Sequence, residues 1–165
     1  MLEHIDKQAV HAALEEYLDA ELAQLQRAQR ATQEGATHEE SRPENDKDTR
    51  ALESTYLARG LSDRVAALEN GVAAFKGLRP RTFGPDDPVA LEAVVAIEFE
   101  PDGTLAYYYL AAAGAGHKLS IGPLTLHTLT PKSPLGKALI GRYVDDEVEY
   151  RSPQGTRRGV VLEIR

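Results

Sequence analysis

The sequence predicts an α+β protein: an N-terminal antiparallel α-helical coiled-coil hairpin followed by a small antiparallel β domain with one short helix. Three observations predict it. Two long stretches carry apolar residues at helical spacing. Between them the segment from Glu34 to Asp48, EGATHEESRPENDKD, sets six carboxylates against Arg42 and Lys47, and its Gly35 and Pro43 are expected to stop a helix. Beyond position 79 the pattern changes to short runs rich in Val, Ile and Tyr, and eight of the nine prolines fall there, which places a boundary between residues 1–78 and 79–165.

From Ile5 to about Glu34, the residues Val10, Leu14, Tyr17, Leu18, Leu22 and Leu25 form one stripe of an amphipathic helix. Leu52, Tyr56, Leu61, Val65, Leu68, Val72 and Phe75 form the stripe of a second, with an irregular step across Gly60 and with Asp48 or Thr49 as its cap. Helices of about 30 residues extend ~45 Å. Apolar faces this narrow need a partner, so the two are expected to pack antiparallel, with the acidic segment 34–48 as the tip. Gly77 and Arg79-Pro80-Arg81 end the hairpin. Val89 to Glu100 and Leu105 to Leu110 read as a strand pair around Pro101-Asp102-Gly103. Gly114-Ala115-Gly116 is a break, and Leu124 to Leu129 is a further strand. Pro134 to Ile140 is a short helix capped by Ser133, and Glu147 to Tyr150 and Val160 to Ile164 form a last hairpin around Pro153-Gln154-Gly155.

Charge and composition narrow the function classes. Residues 1–78 hold nine basic and fifteen acidic side chains, a net −6, and residues 79–165 hold ten and eleven, a net −1. An acidic chain of this kind is a poor direct ligand for free duplex DNA, which requires a basic surface. With no cysteine there is no thiolate zinc site, disulfide or thiol nucleophile. No run approaches the ~20 apolar residues of a membrane span, and MLEHIDKQ lacks the pattern of a signal peptide. The expectation is a cytoplasmic, monomeric protein with no membrane association.

The five histidines at 4, 11, 38, 117 and 127 are scattered, and His38 beside Glu39 and Glu40 lacks the rigid support a ligand set needs. Tyr107 and Tyr109 share one face of a strand and Tyr108 takes the other, which suits core packing on at least one side. The Gly-x-Gly at 114–116 lacks the third glycine and the helix of a nucleotide-binding loop. An acidic loop alone is ordinarily solvated surface. At the end of a long arm, such a loop is useful where it reaches another molecule's metal site or basic cleft.

Two segments resemble a known family. Ser133-Pro134-Leu135-Gly136-Lys137-Ala138-Leu139-Ile140-Gly141, followed by Asp145-Asp146-Glu147-Val148, is similar to the Ser-Pro-Leu-Gly-Arg-Ala-Leu-Leu-Gly…Gly-Asp-x-Val pattern in the C-terminal domain of bacterial Gre transcript-cleavage factors. Glu44-Asn45 after Pro43 resembles the end of the Gre tip motif Asp-Leu-Lys-Glu-Asn. The resemblance implies a C-terminal domain like the FK506-binding-protein fold that docks on bacterial RNA polymerase, and a coiled coil that enters the secondary channel. It also implies that the factor is no enzyme itself. Tip carboxylates, here Glu44 with Glu40 or Asp46, would help hold a Mg²⁺ shared with the polymerase, which then cleaves backtracked RNA. Nucleic acid is touched only through the polymerase, and Lys132, Ser133, Pro134 and Leu135 are the expected docking residues. Ser133 and Gly136 equally suit a plain capped helix.

Two departures bear on activity. Ser41 stands where the family tip motif has its first acid, and Lys132 stands where an acidic residue is common. The alternative function is therefore a Gre-like modulator or inhibitor that occupies the same channel without promoting cleavage. Peptidyl-prolyl isomerase activity is suggested by the fold resemblance alone, and fold does not fix function.

Overall fold

A computed structural model describes the backbone of residues 1–40 and 47–165 and the side chains of residues 1–35 and 49–165. Two helices come first, α1 from Lys7 to Glu40 and α2 from Lys47 to Gly77. Asp6 caps α1, its Oδ1 accepting from the backbone N–H of Gln8 at 2.9 Å and of Ala9 at 3.1 Å. The expected break at Glu34 is not where α1 ends, because the helix runs through Gly35 to Glu40. A single glycine costs about 1 kcal/mol, and a helix that is already long extends through it by propagation. At the other side α2 begins at Lys47, so Asp48 and Thr49, the expected caps, lie inside it.

The hairpin is antiparallel. Lys76 Nζ donates to Asp19 Oδ2 at 3.0 Å, Gln26 Nε2 to Glu69 Oε1 at 3.0 Å and Gln29 Nε2 to Ser62 Oγ at 3.0 Å, so partners on α2 fall in number as those on α1 rise. Counting back from Phe75 in steps of three and four gives Val72, Leu68, Val65, Leu61, Ala58 and Ser54, all buried or half-buried. That phase corrects the expected stripe. Leu52 and Tyr56 lie on the opposite side of α2 and are 55% and 70% exposed, and Tyr17 on α1 is 48% exposed. Toward the tip the seam is made instead of small or polar residues, Gln29, Thr32, Ser54 and Ala58.

Beyond the hairpin come β1 (Val94–Phe99), β2 (Thr104–Leu110), β3 (Lys118–Ile121), β4 (Leu124–Leu129), α3 (Pro134–Leu139), β5 (Glu147–Ser152) and β6 (Gly155–Ile164). The strands form one sheet in the order β3-β4-β2-β1-β6-β5. The sheet is mixed rather than wholly antiparallel, since β2 and β4 pair in parallel from Tyr107↔Leu126 to Leu110↔Leu129. The unforeseen strand β3 explains it. The chain leaves β2 through Gly114 (φ 81°) and Gly116 (φ 88°), forms β3 at the edge, and returns antiparallel to it as β4 beside β2. The apolar run from Val89 becomes a strand only at Val94, because Glu92 has φ 71° and turns the chain first.

One face of the sheet meets the helices. Leu2, Val10, Leu14 and Leu18 from the N-terminal segment and α1, and Val72 and Phe75 from α2, share a buried cluster with Val94, Ala96, Tyr109, Leu119 and Leu126. The base of the hairpin therefore packs into the sheet core. Gly114 allows the approach, since a Cβ there would lie 2.9 Å from Leu14 Cδ1 and 3.0 Å from Leu18 Cδ2. The opposite face packs Val95, Ile97, Phe99, Leu110, Val148, Val161 and Ile164 against Phe83, Val89, Leu135 and Leu139. Tyr107 and Tyr109 belong to the helix side and Tyr108 to the other, as their alternation requires. Among the described residues, no helix is long and apolar enough to cross a membrane.

Where the helices meet the sheet, Glu92 is 2% exposed and its Oε2 accepts from the Tyr109 hydroxyl at 2.5 Å. Burial, reinforced by that hydrogen bond, pushes the Tyr109 phenol far above its ordinary range, so it stays a donor. The His11 ring stacks on Phe75 at 4.1 Å, with Nε2 4.0 Å from Glu92 Oε2. Tyr109→Phe would leave the buried carboxylate without this donor, and is expected to lower stability by roughly 1–3 kcal/mol. An unchanged denaturation midpoint would show that Glu92 does not depend on Tyr109.

Candidate functional site

The tip is bounded by Glu40, the last residue of α1, and Lys47, the first of α2. Ser41, Glu44 and Asp46 fall between them and lie outside the described residues, as do the side chains of His38, Glu39 and Glu40. The extension of α1 to Glu40 narrows the connection expected at 34–48 to six residues, 41–46. Among the described residues, no group of three or more His, Asp or Glu side chains is placed to hold a metal ion.

The second candidate surface surrounds α3. Ser133 is its N-cap, with Oγ accepting from the Gly136 N–H at 3.1 Å and donating to the Thr130 carbonyl at 2.8 Å. Gly136 is required sterically, for a Cβ there would lie 2.0 Å from the Thr130 carbonyl oxygen. The serine and the glycine thus shape the turn. Pro134 at the first helical position and Lys132 before the cap are exposed. Leu135 is not: it is 4% exposed and packs with Leu139, Val148 and Phe83, because it points from α3 into the sheet. The apolar side chain available near α3 is Ile140 instead, 44% exposed and following the last turn. Gly136→Ala is expected to cost more than the ~1 kcal/mol typical of losing a cap such as Ser133→Ala, because backbone has to move. Thermal melts of the two variants compare them directly; equal melting points would remove the steric argument.

A third group joins the hairpin to the sheet. His117, in the β2–β3 connection, stacks on Tyr17 at 5.2 Å and lies 3.4 Å from Glu21 Oε2. A Cβ on Gly71 of α2 would sit 3.1 Å from Ala113 Cβ in the same connection. Sequence pattern offered no signal for this group, since each contact joins positions far apart in the chain.

The family model for the C-terminal region of the transcription elongation factors GreA and GreB matches residues 84–165. Transcription elongation factor GreA of Syntrophus aciditrophicus is 30% identical over 125 residues, covering 73% of this chain and 69% of that protein. The chain belongs to the GreA/GreB family. GreA of Sphingopyxis alaskensis is 31% identical over 100 residues, which are 61% of this Gre-family chain but only 58% of the relative's own length. Among solved structures, the crystal structure of GreA factor homolog 1 (Gfh1) of Thermus thermophilus aligns with 93% of this chain and 95% of its own, at 21% identity and a TM-score of 0.39. The match from residue 84 takes in the whole sheet and α3, and with them the Ser133 to Gly141 segment.

Proposed function

We propose that this Gre-family chain binds bacterial RNA polymerase through the domain of residues 79–165 and extends the hairpin of residues 1–78 into the secondary channel. The observation that carries the reading is the free length of the arm. Among the described residues, Leu22 of α1 and Leu68 of α2 are the last toward the tip that pack on the cluster shared with the sheet. The helical residues of α1 beyond Leu22 number 18, from 23 to 40, and extend about 27 Å at 1.5 Å per residue. Such an arm is suited to delivering the acidic tip into a partner.

Glu44, with Glu40 or Asp46, would offer oxygen ligands to a Mg²⁺ held mainly by the polymerase. That ion dehydrates reluctantly and favours sites completed by phosphate and water, so one or two tip carboxylates act only inside the complex. On this reading the chain is a cofactor of the polymerase's own RNA cleavage. Around α3, Lys132, Pro134 and Ile140 form the docking surface, and Ser133 shapes it. Ser41 favours a second reading, in which the arm occupies the channel and modulates transcription without cleavage, because a position that is acidic in the family tip motif carries a hydroxyl. Adding the protein to a defined backtracked polymerase complex separates the two. Shortening of the RNA 3′ end supports the first, altered elongation without shortening supports the second, and no effect on either removes both.

A further inference from the structure

We propose that the outer edge of β5 is a self-association surface, on which a second copy of this chain adds its own β5 antiparallel and joins the two six-stranded sheets into one. In the order β3-β4-β2-β1-β6-β5 the last strand has a neighbour on one side alone. The hydrogen-bond phase shows which of its groups are free. Val161 N–H donates to the Asp146 carbonyl at 3.0 Å, so Asp146 turns its backbone toward β6, and alternation along the antiparallel pair turns Val148, Tyr150 and Ser152 the same way. Glu147, Glu149 and Arg151 therefore point their N–H and C=O groups outward. All three are exposed, and α3 packs on the other face of the strand, against Val148.

Charged residues ordinarily keep a sheet edge from pairing. Here their order makes the edge complementary to itself. A two-fold axis through Glu149, perpendicular to the sheet, sets Glu147 opposite Arg151 of the second copy and Arg151 opposite its Glu147, so opposite charges face each other on both sides of the axis. The Glu149 carboxylates meet at the axis, where each is held by Arg158 of its own chain at 2.6 Å. On the other face, Val148 falls opposite Tyr150 of the second copy.

The register follows from the same residues. Only in this alignment do the outward groups of Glu147, Glu149 and Arg151 all pair with one another. A slip of two residues one way sets Glu147 against Glu149 of the second copy, and a slip of two the other way sets it against Pro153, which has no N–H to give. A slip of one brings an inward-turned residue opposite an outward one. Sequence pattern leads to a monomer instead, because it does not show which strand ends the sheet.

One short strand buries far less than the ~1,600 Å² of a standard interface, so the pairing is weak. Sedimentation velocity on the full chain should show a reversible dimer with a dissociation constant on the order of 10⁻⁴ M. In hydrogen exchange followed by NMR, the amides of Glu147, Glu149 and Arg151 should slow as the protein concentration rises. Arg151→Glu sets like charges opposite each other and should weaken the dimer at least about tenfold, whereas combining it with Glu147→Arg exchanges the two charges and should restore association. Glu149→Pro removes an N–H that no strand of the monomer uses, so it should abolish the dimer at an unchanged melting point. If that variant unfolds, the two charge variants, both on exposed side chains, decide alone. A chain that stays monomeric at about 1 mM overturns the proposal and leaves this edge to a strand of another protein. A dimer that the exchanged charges fail to restore, or whose β5 amides gain no protection, overturns it as well by placing the contact elsewhere.

Discussion

Leu14→Asp is expected to unfold the helices and the sheet together. Leu14 is fully buried in the cluster that joins α1 and α2 to Val94, Tyr109 and Leu126, and its Cδ1 would lie only 2.9 Å from a Cβ on Gly114. A carboxylate placed there has no cation to pair with, and burying it costs several kcal/mol, which is of the order of a domain's whole stability. Because the cluster is shared, circular dichroism should lose its helical and strand signals in one transition or show no folded state at all. The contrasting substitution is Tyr56→Asp. Tyr56 is 70% exposed on the outer side of α2, so the same charge there should change stability by no more than about 0.5 kcal/mol. Loss of the helices in Tyr56→Asp with tolerance of Leu14→Asp would place the seam on the wrong face and reverse the packing described above.

Those two residues also mark what the sequence makes legible. Val10, Leu14 and Leu18 fall four apart and are all buried, and Val65, Leu68, Val72 and Phe75 keep one heptad phase, so the proximal seam can be read from spacing alone. Tyr56 and Leu52 mislead because large apolar residues attract a stripe, whereas the true seam continues through Ala58 and Ser54, whose size says little. In the sheet, β4 and α3 appear where pattern, proline and cap place them. The four residues of β3 are too few to show a period, and without β3 the parallel pairing of β2 with β4 has no cause. The family pattern around Ser133 marks the α3 region, but it does not separate residues that shape the turn from residues that face outward. Leu135 packs inward and Pro134 is exposed, although they are adjacent. The Glu92 environment is absent from any local pattern because it forms only when His11 of α1 and Tyr109 of β2 converge on that carboxyl group.

On the proposed role of the tip, Glu44→Gln is expected to abolish cleavage or any other effect on the polymerase while leaving docking intact. The substitution keeps the size and most of the hydrogen bonding of the side chain and removes its charge, which is the property a hard cation such as Mg²⁺ requires of an oxygen ligand. The docking proposed here uses the surface around α3, beyond the sheet from the helical base, so co-purification with polymerase should be unchanged. A charge at Pro134, exposed at the first position of α3, should give the converse result, weaker co-purification with an unchanged melting point. Ser41→Asp extends the test by restoring an acid at the position where the family tip motif has one. If a second carboxylate limits the wild-type protein, this variant should raise the rate of RNA shortening in a backtracked complex by at least about tenfold, corresponding to roughly 1.4 kcal/mol of transition-state stabilisation. A wild-type protein that already cleaves efficiently and gains nothing from Ser41→Asp would show that Glu40 or Asp46 fills the second position. Full retention of every polymerase effect in Glu44→Gln would remove the tip from the mechanism, and the acidic connection between α1 and α2 would then be solvated surface alone.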